Sequence, residues 1–143
     1  MAEVGLDSKI LQYESFLNDV LKEDLRICLR ERDKVCSKLA DVLQLRTIIQ
    51  QIEETCGDKF KSQVDLGCNF YVQACVEDTS HILVQVGLGF FVEFTPKEGR
   101  WFLDRREELL NTELQRLTKD SAMIKAHIQM VLQGLRELQG IVT

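Results

Sequence analysis

The C-terminal third of the chain limits its possible folds more than any other part. Leu110, Leu114, Leu117, Ser121, Ile124, Ile128, Val131, Leu135 and Leu138 recur at steps of 4, 3, 4, 3, 4, 3, 4 and 3. That spacing lines up one stripe on a helix and is the seam of a coiled coil. The segment 97–140 is therefore read as one long helix. Thr95 and Pro96 ahead of Glu98 suit its start, because proline in the first turn lacks only an N–H that would go unbonded anyway. Gly140 marks its end. A lone helix with one apolar stripe buries little, so this one needs a mate.

The mate is in the N-terminal half. No glycine or proline occurs between Gly5 and Gly57, and the interval is rich in Leu, Arg, Lys, Glu and Gln, which favour helix. Asp7 or Ser8 is the expected N-cap. Leu11, Leu21, Leu25, Cys28, Val35, Leu39, Val42 and Ile49 follow a heptad, with Asn18, Arg32 and Arg46 as polar members. Polar seam residues weaken a coiled coil but help to fix its register and partner. A helix over 7–56 would be about 70 Å long, close to the length of the second. Two long helices of matched length predict an antiparallel hairpin.

Between them, over 62–95, the period changes from helical to alternating. Val64 and Leu66 alternate with Gln63 and Asp65, and Gly67-Cys68-Asn69 reads as a turn before the β-rich run 70–76. After a second turn at 77–80, the runs 82–86 and 90–94 flank Gly87-Leu88-Gly89. These are two β-hairpins. The predicted fold class is α+β, mostly α: a long antiparallel two-helix coiled coil with two β-hairpins at the bend, forming a single domain over 1–143.

Two hairpins need another layer to be stable in water. Val64, Leu66, Phe70, Val72, Val84, Val86, Phe91 and Phe94 must be covered by something, and exposed strand edges invite pairing with another chain. These eight residues are assigned to subunit assembly, with related subunits pooling their hairpins. At the other end, Leu11, Tyr13, Phe16 and Leu17 fall opposite Val131, Leu132, Leu135 and Leu138 in an antiparallel pair. This second cluster reads either as a closed local core or as an open tip that grips client or partner proteins.

Composition excludes other classes. The net charge is −5, and no basic run supplies the clustered cations that direct nucleic-acid binding needs. The N-terminus has no secretory leader pattern, and the apolar stretch 82–94 is too short and too interrupted to span a membrane. An intracellular, soluble chain is expected. Cys28, Cys36, Cys56, Cys68 and Cys75 contain no CxxC pair, and with His81 they match no zinc spacing. They are read as free thiols. His127 stands beside the seam with no nucleophile near it in the pattern, and His81 opens a strand in solvent. Gly87-Leu88-Gly89 lacks the third glycine and the helix of a phosphate loop. Asp65 and Glu93, by alternation, point away from the apolar strand faces. No catalytic, cofactor-binding or metal-binding residue is assigned, and no enzyme is expected.

The runs V-D-L-G-C-N-F at 64–70, L-G-F-F-V-E-F-T at 88–95, L-T-K-D-S at 117–121 and I-K-A-H-I-Q-M-V-L-Q-G-L-R-E-L-Q-G at 124–140, in the order helix, two hairpins, helix, resemble the α class of prefoldin subunits. The resemblance implies a hetero-oligomer, a hexamer with a β-barrel hub and projecting coiled coils. Such complexes pass unfolded clients, notably actin and tubulin, to a chaperonin without ATP. It also implies a variant of that assembly, in which related subunits join an unconventional prefoldin and components of the R2TP cochaperone. That variant carries roles in transcriptional co-regulation and locations in cytoplasm, nucleus and centrosome. A scaffold or co-regulator working through coiled-coil contacts alone is the alternative expectation.

Overall fold

The computed structural model describes residues 2–55 and 59–140, with backbone only for residues 2–4. Cys56 and the expected end of the first helix at residue 56 lie outside them. The elements in order are α1 (Ala2–Ser15), a π-helical turn (Phe16–Leu21), α2 (Lys22–Glu54), β1 (Phe60–Gly67), β2 (Phe70–Val76), β3 (Ile82–Gly87), β4 (Phe90–Phe94) and α3 (Pro96–Leu138). The helix starts at Ala2, so neither Asp7 nor Ser8 caps it, and Gly5 is accommodated inside it. No described helix is long and apolar enough to cross a membrane. The chain forms two compact units, one of 1–38 with 110–143 and one of 39–109.

In the first unit the N-terminal helices run antiparallel to α3. Glu14 lies by Gln139, and the Cys28 thiol donates to the Leu117 carbonyl at 3.4 Å. Leu17, Leu21 and Leu135 are buried together, with Ile10, Ile128 and Val131 packed around them. Ser121 is buried in the α3 seam, where its hydroxyl donates to the Thr118 carbonyl at 2.8 Å, so no polar atom is stranded there. The α3 seam is inward-facing throughout, except that Leu138 is exposed.

The N-terminal seam departs from the expected heptad. Leu11 is 65% exposed and Leu17 only 4%, and Asn18 is exposed too. Upstream of Leu21 the inward residues are Ile10, Glu14 and Leu17. Leu17, Leu21 and Leu25 thus stand four apart on successive turns. Eight residues in two turns exceed the 3.6 per turn of an α-helix. The π turn takes up the excess, with the Lys22 N–H reaching back five residues to the Leu17 carbonyl.

In the second unit the end of α2 again runs antiparallel to α3. Arg46 lies 3.0 Å from Asp104 and from Glu107, and Arg100 lies 3.1 Å from Glu53. Such exposed pairs contribute at most about 1 kcal/mol each, but they fix register. Arg46, a polar member of the expected seam, points outward to these acids. Val42, Ile49 and Leu103 form the buried positions. Gly99, in the first turn of α3, lets Ile82 of β3 approach: a Cβ there would sit 2.7 Å from Ile82 Cδ1.

α3 begins with a reciprocal cap. The Thr95 N–H donates to Glu98 at 2.8 Å, and the Glu98 N–H points back to the Thr95 hydroxyl at 3.4 Å. That bond to the Thr95 backbone, with the one from its hydroxyl, holds the Glu98 carboxyl below its ordinary range.

Candidate assembly and partner surfaces

The four strands form two separate two-stranded antiparallel sheets, β1 with β2 and β3 with β4. Each strand therefore has one edge with no strand beside it among the described residues. Both hairpins close through two-residue loops with positive φ, at Cys68-Asn69 and Leu88-Gly89, the geometry that matches strand twist. Each carries a bulge before its turn, at Leu66 and at Val86.

Register assigns the faces. In the first hairpin Val64 pairs with Val72 and Phe60 with Val76, while Gln63 pairs with Gln73 and Asp65 with Tyr71 on the opposite face. Val64, Val72 and Val76 are all exposed. Asp65 serves the turn, its carboxylate accepting the Gly67 N–H at 2.7 Å. In the second hairpin Ile82 pairs with Phe94 and Val84 with Val92 on one face; Leu83 pairs with Glu93 and Gln85 with Phe91 on the other. The first of these faces rests on α3, where the Phe94 and Phe102 rings lie 5.8 Å apart. The second is open, with Leu83 and Phe91 exposed. This hairpin is thus apolar on both faces, and Glu93 does not mark a polar one.

Of the eight expected assembly residues, Val64, Leu66, Phe70, Val72, Val86 and Phe91 are exposed. Val84 and Phe94 are half-buried, and Phe94 finds its cover within its own chain. Tyr71, Leu83, Leu88 and Phe90 add to the exposed apolar surface. Leu83 could have been found by strand alternation once the register was known. Leu88 stands at the turn, 98% exposed, with φ +51°, a backbone region that costs a branched side chain about 1–2 kcal/mol.

The second cluster divides as well. Leu17 and Leu135 are buried and Val131 is half-buried, while Leu11, Tyr13, Phe16, Leu132 and Leu138 are exposed. A closed core and an apolar collar therefore coexist. Tyr13 borders a cavity of about 430 Å³ with Val131, Gly134, Leu135 and Leu138. Phe16 borders another of about 190 Å³ with His127 and Met130. Met130, absent from the sequence reading because it lies off the seam, is among the most exposed apolar side chains of this collar.

Other groups have structural explanations. Asp78 accepts the Ser80 N–H at 2.9 Å, which closes the turn before β3, and the Ser80 side chain together with that backbone bond holds the Asp78 carboxyl below its ordinary range. Ser80 Oγ lies 2.9 Å from His81 Nδ1 on the exposed surface. Cys28, Cys36, Cys68 and Cys75 are free thiols. Among the described residues no group of three or more His, Cys, Asp or Glu could hold a metal ion.

Similarity to known proteins follows these features. The prefoldin subunit family model matches residues 21–140. The chain is 53% identical to human Protein UXT over 93% of its own length and 85% of that protein's. It is 44% identical to the UXT homolog of Nematostella vectensis, over 95% of its length and 87% of that protein's. Human prefoldin subunit 5 is 28% identical over about half of each chain, 54% and 53%. Among solved structures, filamentous PFD from Methanocaldococcus jannaschii superposes with a TM-score of 0.67 at 18% identity, covering 82% of this chain and 97% of that one. With two β-hairpins between long helices, and with a family match over most of its length, the chain belongs to the prefoldin family.

Proposed function

We propose that this chain is a non-catalytic subunit of a prefoldin-like co-chaperone complex, which it joins through its hairpins and for which it holds client or partner proteins with the collar of its helix pair. The observation that carries the proposal is the open apolar face that each hairpin presents. Two isolated two-stranded sheets with Val64, Val72, Leu83 and Phe91 in solvent are not a stable end point. Related subunits offering the same edges complete the sheets. Family membership and the fold shared with an archaeal prefoldin support that reading. Likeness to the UXT proteins favours the R2TP-associated kind of complex, with an unconventional prefoldin as co-subunit.

Holding is assigned to the collar because Tyr13, Phe16 and Met130 are exposed, border open cavities and are aromatic or flexible, suited to varied apolar segments; Leu132 adds a further exposed apolar side chain. The test separates the two surfaces. Phe16→Ser with Leu132→Ser should weaken suppression of aggregation of an unfolded protein by the assembled complex and leave its mass unchanged. Loss of assembly in that variant would overturn the division of labour. Undiminished holding would remove the collar from the function.

A further inference from the structure

A groove of about 500 Å³ lies within the 39–109 unit, between the end of β3 and α3. Its apolar floor is Val86, Phe102 and Leu109, and Arg105 and Arg106 line its rim. Phe102, Arg106 and Leu109 stand at i, i+4 and i+7 on α3, one stripe of the helix. The buried Leu103 and half-buried Leu110 occupy the neighbouring stripe, which faces α2. The groove stripe therefore has no helix over it, and Leu109 is exposed. Val86 is the bulged residue of β3; bulges re-aim a side chain out of the ladder.

The charges in the groove are of one sign. No acidic residue lines it. Arg105 is occupied, 2.9 Å from Glu108 and stacked 5.8 Å from the Trp101 ring. Arg106 has no ion pair or hydrogen bond among the described residues. An exposed arginine with no acid beside it, next to an apolar floor, is open to a carboxylate from elsewhere.

We propose that this groove receives an acidic segment of a neighbouring subunit, one that sets a carboxylate on Arg106 and an apolar side chain between Val86 and Leu109. The proposal rests on the assembly reading above. The groove wall, Gln85–Gly87, continues directly into the exposed Leu88 of the turn and Phe90 at the start of β4, so a chain that covers that hairpin end is placed to reach Arg106. The pairing selects which subunit may sit there, since like charge at that position is rejected.

The experiment uses the assembled complex. A photo-crosslinking amino acid in place of Leu109 should label a neighbouring subunit at a segment bearing Asp or Glu beside an apolar residue. Arg106→Glu should lower incorporation of the chain by on the order of tenfold without changing the melting behaviour of the chain alone, because Arg106 is exposed. Changing the labelled carboxylate to Lys should restore incorporation of that variant. If the wild-type complex forms and Arg106→Glu enters it equally well, the inference is overturned while the subunit reading stands. A crosslink to a segment without carboxylates, or to a protein outside the complex, overturns it too. If the wild-type chain does not assemble, the subunit reading itself has failed.

Discussion

Leu11 and Leu17 differ by six positions and look equivalent as apolar helix residues, yet one is in solvent and the other in the core of its unit. The continuous heptad places Leu11 inward. The π turn places Leu17 inward instead, over Leu21 and against Leu135. Leu17→Ala should therefore cost about 2–3 kcal/mol, and Leu11→Ala no more than about 0.5 kcal/mol, in urea unfolding of the same preparation. Equal effects would restore the continuous heptad. The α3 seam is readable because burial there follows an uninterrupted period. The π turn is not, because an i→i+5 hydrogen bond is selected by packing across the helix pair and leaves no local signature. A second test at this scale concerns Glu98. Its carboxyl is held below the ordinary value near 4.5 in the folded chain. A depressed folded pKa contributes stability that is present above the unfolded value and lost as pH falls through the folded one. Thermal melts from pH 6 down to pH 3 should show this loss, and Glu98→Gln should flatten that part of the profile while lowering stability at pH 6.

Among the elements, the hairpins were legible as hairpins. Alternation, β-branched residues and Gly-containing turns are local signals that survive in almost any tertiary context. Which face each strand buries was less legible, because a bulge shifts alternation by one residue. The bulge at Val86 and the pairing of Gln85 with Phe91 put Phe91 on the face opposite Val84 and Phe94. Gly99 went unused as a signal, although its missing side chain is what lets Ile82 reach α3. Leu88 is the element-scale oddity: a branched side chain in left-handed backbone at the tip of a turn. Asparagine tolerates that backbone better. Leu88→Asn should raise the stability of the isolated chain by about 1 kcal/mol and weaken the complex, where the leucine side chain becomes covered. Calorimetry of the chain and native mass spectrometry of the complex read the two effects separately. An assembly as strong as the parent's would show that the leucine is not covered there.

For the molecule as a whole, the limiting quantity is core. Among the described residues only seven apolar side chains are buried, spread along two helix-pair units rather than gathered in one place. Meanwhile both hairpins keep valines, leucines and phenylalanines in solvent. A chain with so little interior is expected to derive much of its stability from association, which also ties its apparent melting temperature to subunit concentration. The need for partners was legible from the sequence, since a coiled coil and two hairpins cannot bury enough surface alone. Which partners was not, because the match between chains turns on side-chain shape and charge at single positions. The most direct measurement is native mass spectrometry of this chain co-expressed with other prefoldin-family subunits, beside the Leu83→Ser, Phe91→Ser variant. A hetero-oligomer of hexamer size for the parent and an unassembled chain for the variant is the predicted result. A parent chain that stays monomeric, or a variant that assembles as fully as the parent, would contradict assembly through the hairpins.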